Sequence, residues 1–275
     1  MIQAKLGFIG AGNMNRAIID GLLSAGVNPQ HIAVSNRSEQ KLGYFADRGL
    51  TTSTSNTEVA ALADVLILGV KPAQLLDVAQ ELKATCSIAK PLVISVAAGV
   101  LTEQIAEALG ADTPIVRAMP NTPSTIGEGA AGLFANSLVN DAQRELAKTI
   151  IQACGIAVWV EQESLIDAVI AVAGSAPAYF FYILETMVDE AEKLGLDPKD
   201  AKALAVQTCL GAARLVQSTE TDLATLRNNV TSPGGTTQAA LASFRASGLD
   251  ETLRAGMQAA VARAQEMAAE AARGR

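Results

Sequence analysis

The feature that most constrains the fold is an alternation of short apolar, β-branched runs with helical stretches over roughly the first 160 residues. Such alternation is typical of βαβ units that build a parallel sheet with helices on both faces. The runs expected to form strands are Leu6 to Ile9, Ile32 to Ser35, Val65 to Leu68, Leu92 to Ser95 and Ile115 to Met119, with a further run at Ile156 to Val160. The pattern predicts an α/β fold with a doubly wound, mostly parallel sheet.

Strand signals disappear after about Glu163, and Ala-rich segments with apolar residues at helical spacing take over. The helices expected here run from Pro177 to about Lys193, onward from Asp197-Pro198, and from Leu249 to Arg273. We therefore predict an α/β domain over residues 1–163 and an all-α domain over residues 164–275. A helical domain of this composition buries its apolar faces best against a second copy, which predicts a homodimer or a larger assembly.

Composition excludes several classes of function. The formal charge of -7 argues against nucleic acid, because phosphate binding needs clustered Lys and Arg. The cysteines Cys86, Cys154 and Cys209 lack zinc-ligand spacing, so we expect reduced core thiols in a cytoplasmic protein and no metal. The longest uncharged run, Ala168 to Leu184, is broken by Gly174 to Pro177 and is interpreted as a buried interface helix rather than a membrane span.

A glycine pair follows the first predicted strand, and a helix-compatible run begins directly after it. Gly10 permits a tight turn, and Gly12 lets the backbone approach a pyrophosphate that the helix N-terminus attracts. Asn15 stands at the third position of this fingerprint, where Gly or Ala is usual, and is expected to leave the helix slightly farther from the strand. The context predicts a Rossmann-like dinucleotide site formed by Gly10, Ala11, Gly12, Asn13 and Met14.

The end of the second predicted strand indicates which dinucleotide is bound. An acidic residue there would bond the ribose hydroxyls, but the sequence at this point carries none. Arg37 instead offers a guanidinium fork for a 2'-phosphate, with Ser35, Asn36 and Ser38 as further donors. NADP is therefore predicted over NAD, and the alternative for Arg37 is a solvated loop residue.

Two further strand exits face the same crevice, because ligands of open α/β sheets lie beyond the carboxyl ends of the strands. The first exit, Gly69 to Pro72, places the cation of Lys71 between Val70 and a proline that restricts the backbone. Ser95 to Gly99, with Ala97, provides small residues that leave room for a nicotinamide.

The remaining residues narrow the chemistry. The single histidine, His31, precedes the second strand, and Ala168 to Leu184 contains no lysine, so a His or Lys acid for carbonyl reduction is disfavoured. A protonated cyclic imine already carries its proton and needs positioning rather than an acid. Val230 to Thr237 suits that task, because its glycines expose backbone N–H groups and hydroxyls flank them. On composition alone, the alternative for this segment is an ordinary loop with a helix cap.

At this segment the sequence resembles the C-terminal signature of pyrroline-5-carboxylate reductases. Other blocks that resemble the family, in the same order, are Gly7 to Met14, Val70-Lys71-Pro72, Arg117 to Pro123 and Asp167 to Tyr179. The resemblance covers nearly the whole chain. It implies an oxidoreductase acting on a CH–NH group that reduces L-1-pyrroline-5-carboxylate to L-proline with NADPH, or with NADH, in the last step of proline biosynthesis.

The resemblance also implies roles for single residues. The substrate would be bound by Ser232, Gly234, Gly235, Thr236 and Thr237, and the Thr237 hydroxyl would be the catalytic group that faces the imine nitrogen. The positions that would line the cofactor are Asn56, Val70, Lys71, Pro72, Ala97, Asn121 and Asn229. Arg117 to Pro123 is alternatively a proline-rich connector. The family's intertwined dimers, assembled further up to decamers, would combine the sheet of one subunit with the helices of its partner.

Two alternatives stay open beside this hypothesis. One is a reductase of another small cyclic imine on the same scaffold. The other is a protein that senses NADP without turnover, which would not need the intact Ser232 to Thr237 segment.

Overall fold

The structure, a computed structural model, describes residues 2–273 and the side chains of residues 2–270. The described residues form two compact units: one comprises those up to Pro177 together with those from Ala260 onward, and the other is Ala178–Ala259. The predicted boundary at 163/164 stays a prediction. Met1 and residues 274–275 of the two predicted domains lie outside the described residues.

An eight-stranded sheet forms the centre of the first unit. Its strands are β1 (Leu6–Ile9), β2 (Ile32–Ser35), β3 (Thr51–Ser53), β4 (Val65–Leu68), β5 (Leu92–Ser95), β6 (Ile115–Met119), β7 (Gly129–Ala135) and β8 (Gly155–Trp159). The order across the sheet is β3-β2-β1-β4-β5-β6-β7-β8, and every neighbouring pair is parallel except β6 with β7. Because the chain builds outward from β1 to β3 and then resumes on the other side at β4, the topological switch point lies between β1 and β4.

Helices cover both faces of this sheet. Those of the first unit are α1 (Asn13–Ser24), α2 (Gly43–Ala46), α3 (Asn56–Leu62), α4 (Pro72–Ala89), α5 (Thr102–Leu109), α6 (Asp141–Gln152) and α7 (Leu165–Val169). Short 3-10 helices lie at Pro29–His31, Glu39–Lys41 and Thr122–Ile126, and a π-helix at Ile170–Gly174. The helices that follow are α8 (Ala176–Lys193), α9 (Pro198–Gln217), α10 (Leu223–Asn229), α11 (Thr236–Ala246) and α12 (Leu249–Arg273).

Alternate residues of the central strands supply two separate cores. Phe8 of β1 packs with Ile18 and Leu22 of α1, whereas the next residue, Ile9, packs on the opposite face with Leu75 of α4. Strands buried on both faces read as continuous apolar runs, which is why their bounds are visible in the sequence. The doubly wound, mostly parallel α/β fold followed by helices is confirmed.

The structure differs from the predicted strands at three places. The last strand begins and ends one residue earlier than predicted, and β3 and β7 were not predicted. Strand β7, Gly-Ala-Ala-Gly-Leu-Phe-Ala, has no β-branched residue. Small residues are required there, because a Cβ on Gly132 would lie 2.5 Å from Cγ2 of Val169.

The C-terminal helices follow the predicted bounds closely. Helix α8 begins one residue before Pro177, α9 begins at Pro198, and α12 spans Leu249–Arg273 as predicted. In the described part of the chain, one segment, Leu165–Lys193, meets the length and hydropathy of a membrane span. This is weak evidence, since core helices of soluble proteins pass the same test.

The cysteines agree in part with the prediction of core thiols. Cys86 and Cys154 are buried, whereas Cys209 is partly exposed. Burial raises the pKa of the Cys86 thiol to about 11, which keeps it protonated and unreactive at neutral pH.

A buried ion pair holds β6 to the beginning of α5. The Arg117 side chain, 2% exposed, lies 3.3 Å from Oε1 of Glu163. The same carboxylate accepts hydrogen bonds from the Thr102 N–H at 2.8 Å and from the Thr102 hydroxyl at 2.7 Å. Glu163 therefore neutralises a buried cation and places negative charge at a helix N-terminus, where it is favourable.

Replacing Glu163 by Gln should lower the free energy of unfolding by about 2 kcal/mol, because Arg117 would be left as an uncompensated buried charge. Chemical denaturation measures the change. The matched control is Glu161→Gln, which removes an exposed carboxylate two residues away and should change stability by less than about 0.5 kcal/mol. Equal effects of the two substitutions would contradict the role of the buried pair.

Candidate functional site

The loop from β1 to α1 lies at the topological switch point, where this class of sheet binds its ligands. Gly10 adopts φ +97°, a conformation that favours glycine, and a Cβ there would lie 3.0 Å from the Gly69 carbonyl oxygen. The Gly10 N–H donates to the Ser35 carbonyl, and the Gly69 N–H donates to the Ile9 carbonyl. The exits of β1, β2 and β4 are thus joined by backbone hydrogen bonds.

Helix α1 begins without a side-chain cap. Gly12 is its N-cap, and the first intrahelical bond runs from the Arg16 N–H to the Gly12 carbonyl. The N–H groups of Gly12 and of the first helical turn therefore have no partner inside the helix and suit an anion such as a pyrophosphate. By contrast, side-chain caps from Ser55, Asn140, Asp197 and Asp222 occupy the starts of α3, α6, α9 and α10.

The polar residues at the end of β2 are brought together, but two of them bond within the fold. The Ser35 hydroxyl is fully buried and donates to Oδ1 of Asn56 at 2.8 Å. Nδ2 of Asn56 lies 3.2 Å from Oε2 of Glu81. Asn36 accepts the Ala11 N–H at 3.3 Å and so ties this loop to the glycine loop.

Arg37 and Ser38 are the predicted phosphate donors that remain on the surface at this strand end. No hydrogen bond or ion pair engages the Arg37 side chain in the described part of the chain, and no carboxylate follows β2 before Glu39. The exposed Arg37 guanidinium can therefore bond an anion from solvent.

The exits of β4 and β5 form another wall beyond the carboxyl ends. Lys71 is the N-cap of α4, Pro72 is its first residue, and Ala97 is buried in the turn after β5. A cavity of about 880 Å³ opens beside Lys71, Pro72 and Gly99, and its far wall includes Arg263 and Met267 near the end of α12. Its volume is in the range of small-molecule sites.

Asn121 performs a structural task that the sequence did not reveal. Its Nδ2 donates to the Ala173 carbonyl in the π-helix at 3.1 Å, and its Oδ1 accepts the Ala130 N–H of β7 at 2.9 Å. Both ends of the amide are therefore engaged within the fold, and one N–H of Nδ2 is left for the cofactor role predicted for Asn121.

The predicted substrate loop lies in the unit Ala178–Ala259. The Gly235 N–H closes a turn onto the Ser232 carbonyl, and the Gly234 N–H donates to Oε1 of Gln238 at 2.6 Å. Gly235 is the N-cap of α11 and no side chain caps this helix, so the N–H groups offered to an anion begin at Thr236. Ser232, Thr236 and Thr237 are exposed beside them.

A capped helix precedes the substrate loop. Hydrogen bonds from the Thr225 hydroxyl and N–H to Asp222 hold the pKa of this carboxyl below its usual range. The cap keeps α10 in place up to Asn229, the exposed predicted cofactor residue that immediately precedes the loop.

Two further observations concern the metal-ligand side chains and the histidine among residues 2–270. No group of three or more His, Cys, Asp or Glu side chains in that range is placed to hold a metal ion. His31 ends the short helix before β2, and therefore lies at the amino edge of the sheet rather than at the carboxyl edge.

The glycine loop at the switch point and the helical segment after the sheet define a Rossmann-type oxidoreductase that binds a dinucleotide. A family model described as pyrroline-5-carboxylate reductase dimerisation matches residues 163–267. A second model, described as NADP oxidoreductase coenzyme F420-dependent, matches residues 5–99. The chain belongs to the pyrroline-5-carboxylate reductase family.

Relatives of that name match over nearly their full lengths. The chain is 46% identical to the pyrroline-5-carboxylate reductase of Vibrio alginolyticus, over 97% of this chain and 98% of the relative. It is 42% identical to that of Pseudomonas aeruginosa, over 98% of each. The family assignment rests on this identity over nearly the full length of the chain.

Two solved structures of pyrroline carboxylate reductases also match over nearly the full length of both chains. A pyrroline-5-carboxylate reductase from Coxiella burnetii superimposes with a TM-score of 0.93 at 45% identity, over 97% of this chain and 99% of the other. The pyrroline carboxylate reductase of Plasmodium falciparum, solved with NADP bound, gives a TM-score of 0.87 at 29% identity, over 98% and 99%.

Proposed function

We propose that this chain reduces L-1-pyrroline-5-carboxylate to L-proline with NADPH as the preferred hydride donor and NADH as an alternative, as the last step of proline biosynthesis in the cytoplasm. The observation that carries the proposal is a pair of helix starts, those of α1 and α11, in which the N-cap is a glycine and no side chain caps the helix. Helices α1 and α11 each follow a glycine-containing loop and leave first-turn N–H groups for an anion. Two anions are what the reaction requires: a dinucleotide pyrophosphate and a substrate carboxylate.

The first uncapped start would hold the dinucleotide. Gly10 to Met14 would receive the pyrophosphate, and Arg37 the 2'-phosphate. Lys71, Pro72 and Ala97 would line the nicotinamide end, because they follow the next two strands of the sheet. The dinucleotide supplies a hydride when bound.

The second uncapped start would hold the substrate. The N–H groups of Thr236 and Thr237, with the Ser232 hydroxyl, would bind the carboxylate. The Thr237 hydroxyl would face the imine nitrogen. Because that nitrogen is already protonated, the imine carbon can accept a hydride while the C=N electron pair moves to nitrogen, and no proton donor is needed.

The helical segment fits a homodimer. Phe180, Phe181 and Tyr182 of α8 are each more than half exposed, which is unusual for large apolar side chains on a free surface. The match of residues 163–267 to a dimerisation model supports this interpretation. A decamer is a further assembly consistent with the family resemblance.

The decisive experiment is steady-state oxidation of NADPH with pyrroline-5-carboxylate, compared with a six-membered cyclic imine carboxylate and a 2-keto acid. Turnover of pyrroline-5-carboxylate with the highest kcat/KM is expected. A higher kcat/KM for the six-membered imine would favour a different imine reductase. Tight NADPH binding without turnover of any substrate would favour a sensor.

Arg37→Ala should weaken NADPH binding by about 1–3 kcal/mol, the range of a charge-assisted hydrogen bond, while NADH binding changes little. Fluorescence titration with each dinucleotide measures both affinities. Lys41→Ala is the matched control, since it removes another exposed cation four residues away. Unchanged discrimination between NADPH and NADH in Arg37→Ala would refute the phosphate contact.

Thr237→Ala should lower kcat at saturating substrate by about 10- to 100-fold, because the hydroxyl is lost while the N–H groups of α11 remain. NADPH affinity should stay within about twofold, and Thr237→Ser should recover most of the rate. Thr252→Ala removes a hydroxyl that bonds the Gly248 carbonyl just before α12 and serves as the control. An equal loss of NADPH affinity would contradict the placement of this loop at the substrate.

A further inference from the structure

Asn15 occupies a position where the dinucleotide fingerprint normally has a small residue that lets the helix pack closely on the strand. In this chain its side chain is fully buried, yet helix α1 still begins directly after the glycine loop. A buried amide beneath a ligand loop requires hydrogen-bond partners.

The Asn15 side chain finds those partners in the loop itself. Its Nδ2 donates to the Ile9 carbonyl at 3.1 Å and to the Gly10 carbonyl at 2.7 Å. Both partners are acceptors, so the orientation of the amide is determined: nitrogen faces the loop. Oδ1 is buried without a partner in the described part of the chain, which is unfavourable for stability.

Space for this side chain comes from the neighbouring strand exit. A Cβ on Gly69 would lie 2.2–2.4 Å from the terminal atoms of the Asn15 amide. Residue 69 must therefore lack a side chain while Asn15 is present. Gly69 in turn donates its N–H to the Ile9 carbonyl, so Asn15 lies between two strand exits.

These bonds fix two consecutive peptide groups at both ends. The Ile9–Gly10 peptide has its carbonyl bonded to Gly69 and Asn15, and its N–H bonded to the Ser35 carbonyl. The Gly10–Ala11 peptide has its carbonyl bonded to Asn15 and its N–H bonded to Asn36. Because C=O and N–H of a trans peptide point in opposite directions, each plane can no longer rotate.

We propose that Asn15 is a positioning residue for the dinucleotide, which clamps the carbonyls of the glycine loop so that the N–H groups from Gly12 onward face the pyrophosphate. The inference rests on the proposed dinucleotide site at α1. Preorganising a loop in its bound conformation raises affinity by reducing the ordering cost of binding. The clamp acts where the pyrophosphate would bind, and NADPH and NADH share this group.

The fingerprint and the clamp make opposite predictions for Asn15→Ala. If a small residue at this position simply lets α1 pack better on the strand, Asn15→Ala leaves the dinucleotide affinity unchanged or raises it. If Asn15 clamps the loop, the Kd of both NADPH and NADH rises about tenfold, as expected for the loss of two hydrogen bonds, and their ratio does not change. The kcat and the KM for pyrroline-5-carboxylate at saturating NADPH stay within about twofold.

The test is fluorescence titration of the full-length protein with NADPH and with NADH, for wild type, Asn15→Ala and Asn15→Asp. Asn15→Asp keeps the shape but places carboxylate oxygens against two carbonyls, so it should bind both dinucleotides at least as weakly as Asn15→Ala. Unchanged or tighter binding by Asn15→Ala overturns the proposal. Wild-type protein that binds neither dinucleotide refutes the proposed site instead.

Gly69→Ala separates clamping from packing. Alone it should lower the melting temperature, because its Cβ collides with the Asn15 amide. Asn15→Ala in that background should restore the melting temperature, while dinucleotide binding stays as weak as in Asn15→Ala. If the double variant recovered both the melting temperature and the dinucleotide affinity, Asn15 would be a packing residue only and the proposal would be overturned. If Gly69→Ala does not fold, the binding result for Asn15→Ala decides by itself.

Discussion

The hydrogen bond from the Gly69 N–H to the Ile9 carbonyl extends the pairing of β1 with β4 by one residue, because it joins the last residue of one strand to the residue that follows the other. The corresponding bond from Gly10 to Ser35 does the same for β1 and β2. Together they fix three strand exits relative to one another. The positions of α1, of the loop that carries Arg37 and of the turn before Pro72 all follow from these two bonds, so the ligand-binding edge is a property of the sheet rather than of flexible loops.

The strands buried on both faces could be predicted, because such strands are continuous apolar runs in the sequence. The two strands that were not predicted fail for different physical reasons. Strand β3 is short and polar at the edge of the sheet, so burial does not shape its sequence. Strand β7 needs glycine beside Val169, and this packing requirement outweighs the low strand propensity of Gly and Ala.

The candidate site was predictable at the level of the backbone and less so at the level of side chains. Glycine loops at strand exits have few other uses, so Gly10 and Gly12 could be assigned from position. Ser35 and Asn121 were recognised as polar residues in the right segments, but sequence does not tell whether a polar group bonds a ligand or the fold. The structure shows Ser35 bonded to Asn56 and Asn121 bonded to the backbone on both sides.

The chain passes between its two compact units within helices. Helix α8 begins in the first unit and continues into the second, and α12 begins in the second and ends in the first. There Ala264 is buried against Ile166 and Ile170. The sheet can therefore form from the N-terminal part of the chain, but its unit is completed only when α12 packs against it. The cluster around Ile166 and Ile170 stays incomplete until then, so the folding of the first unit depends on a segment that follows the whole second unit in the chain.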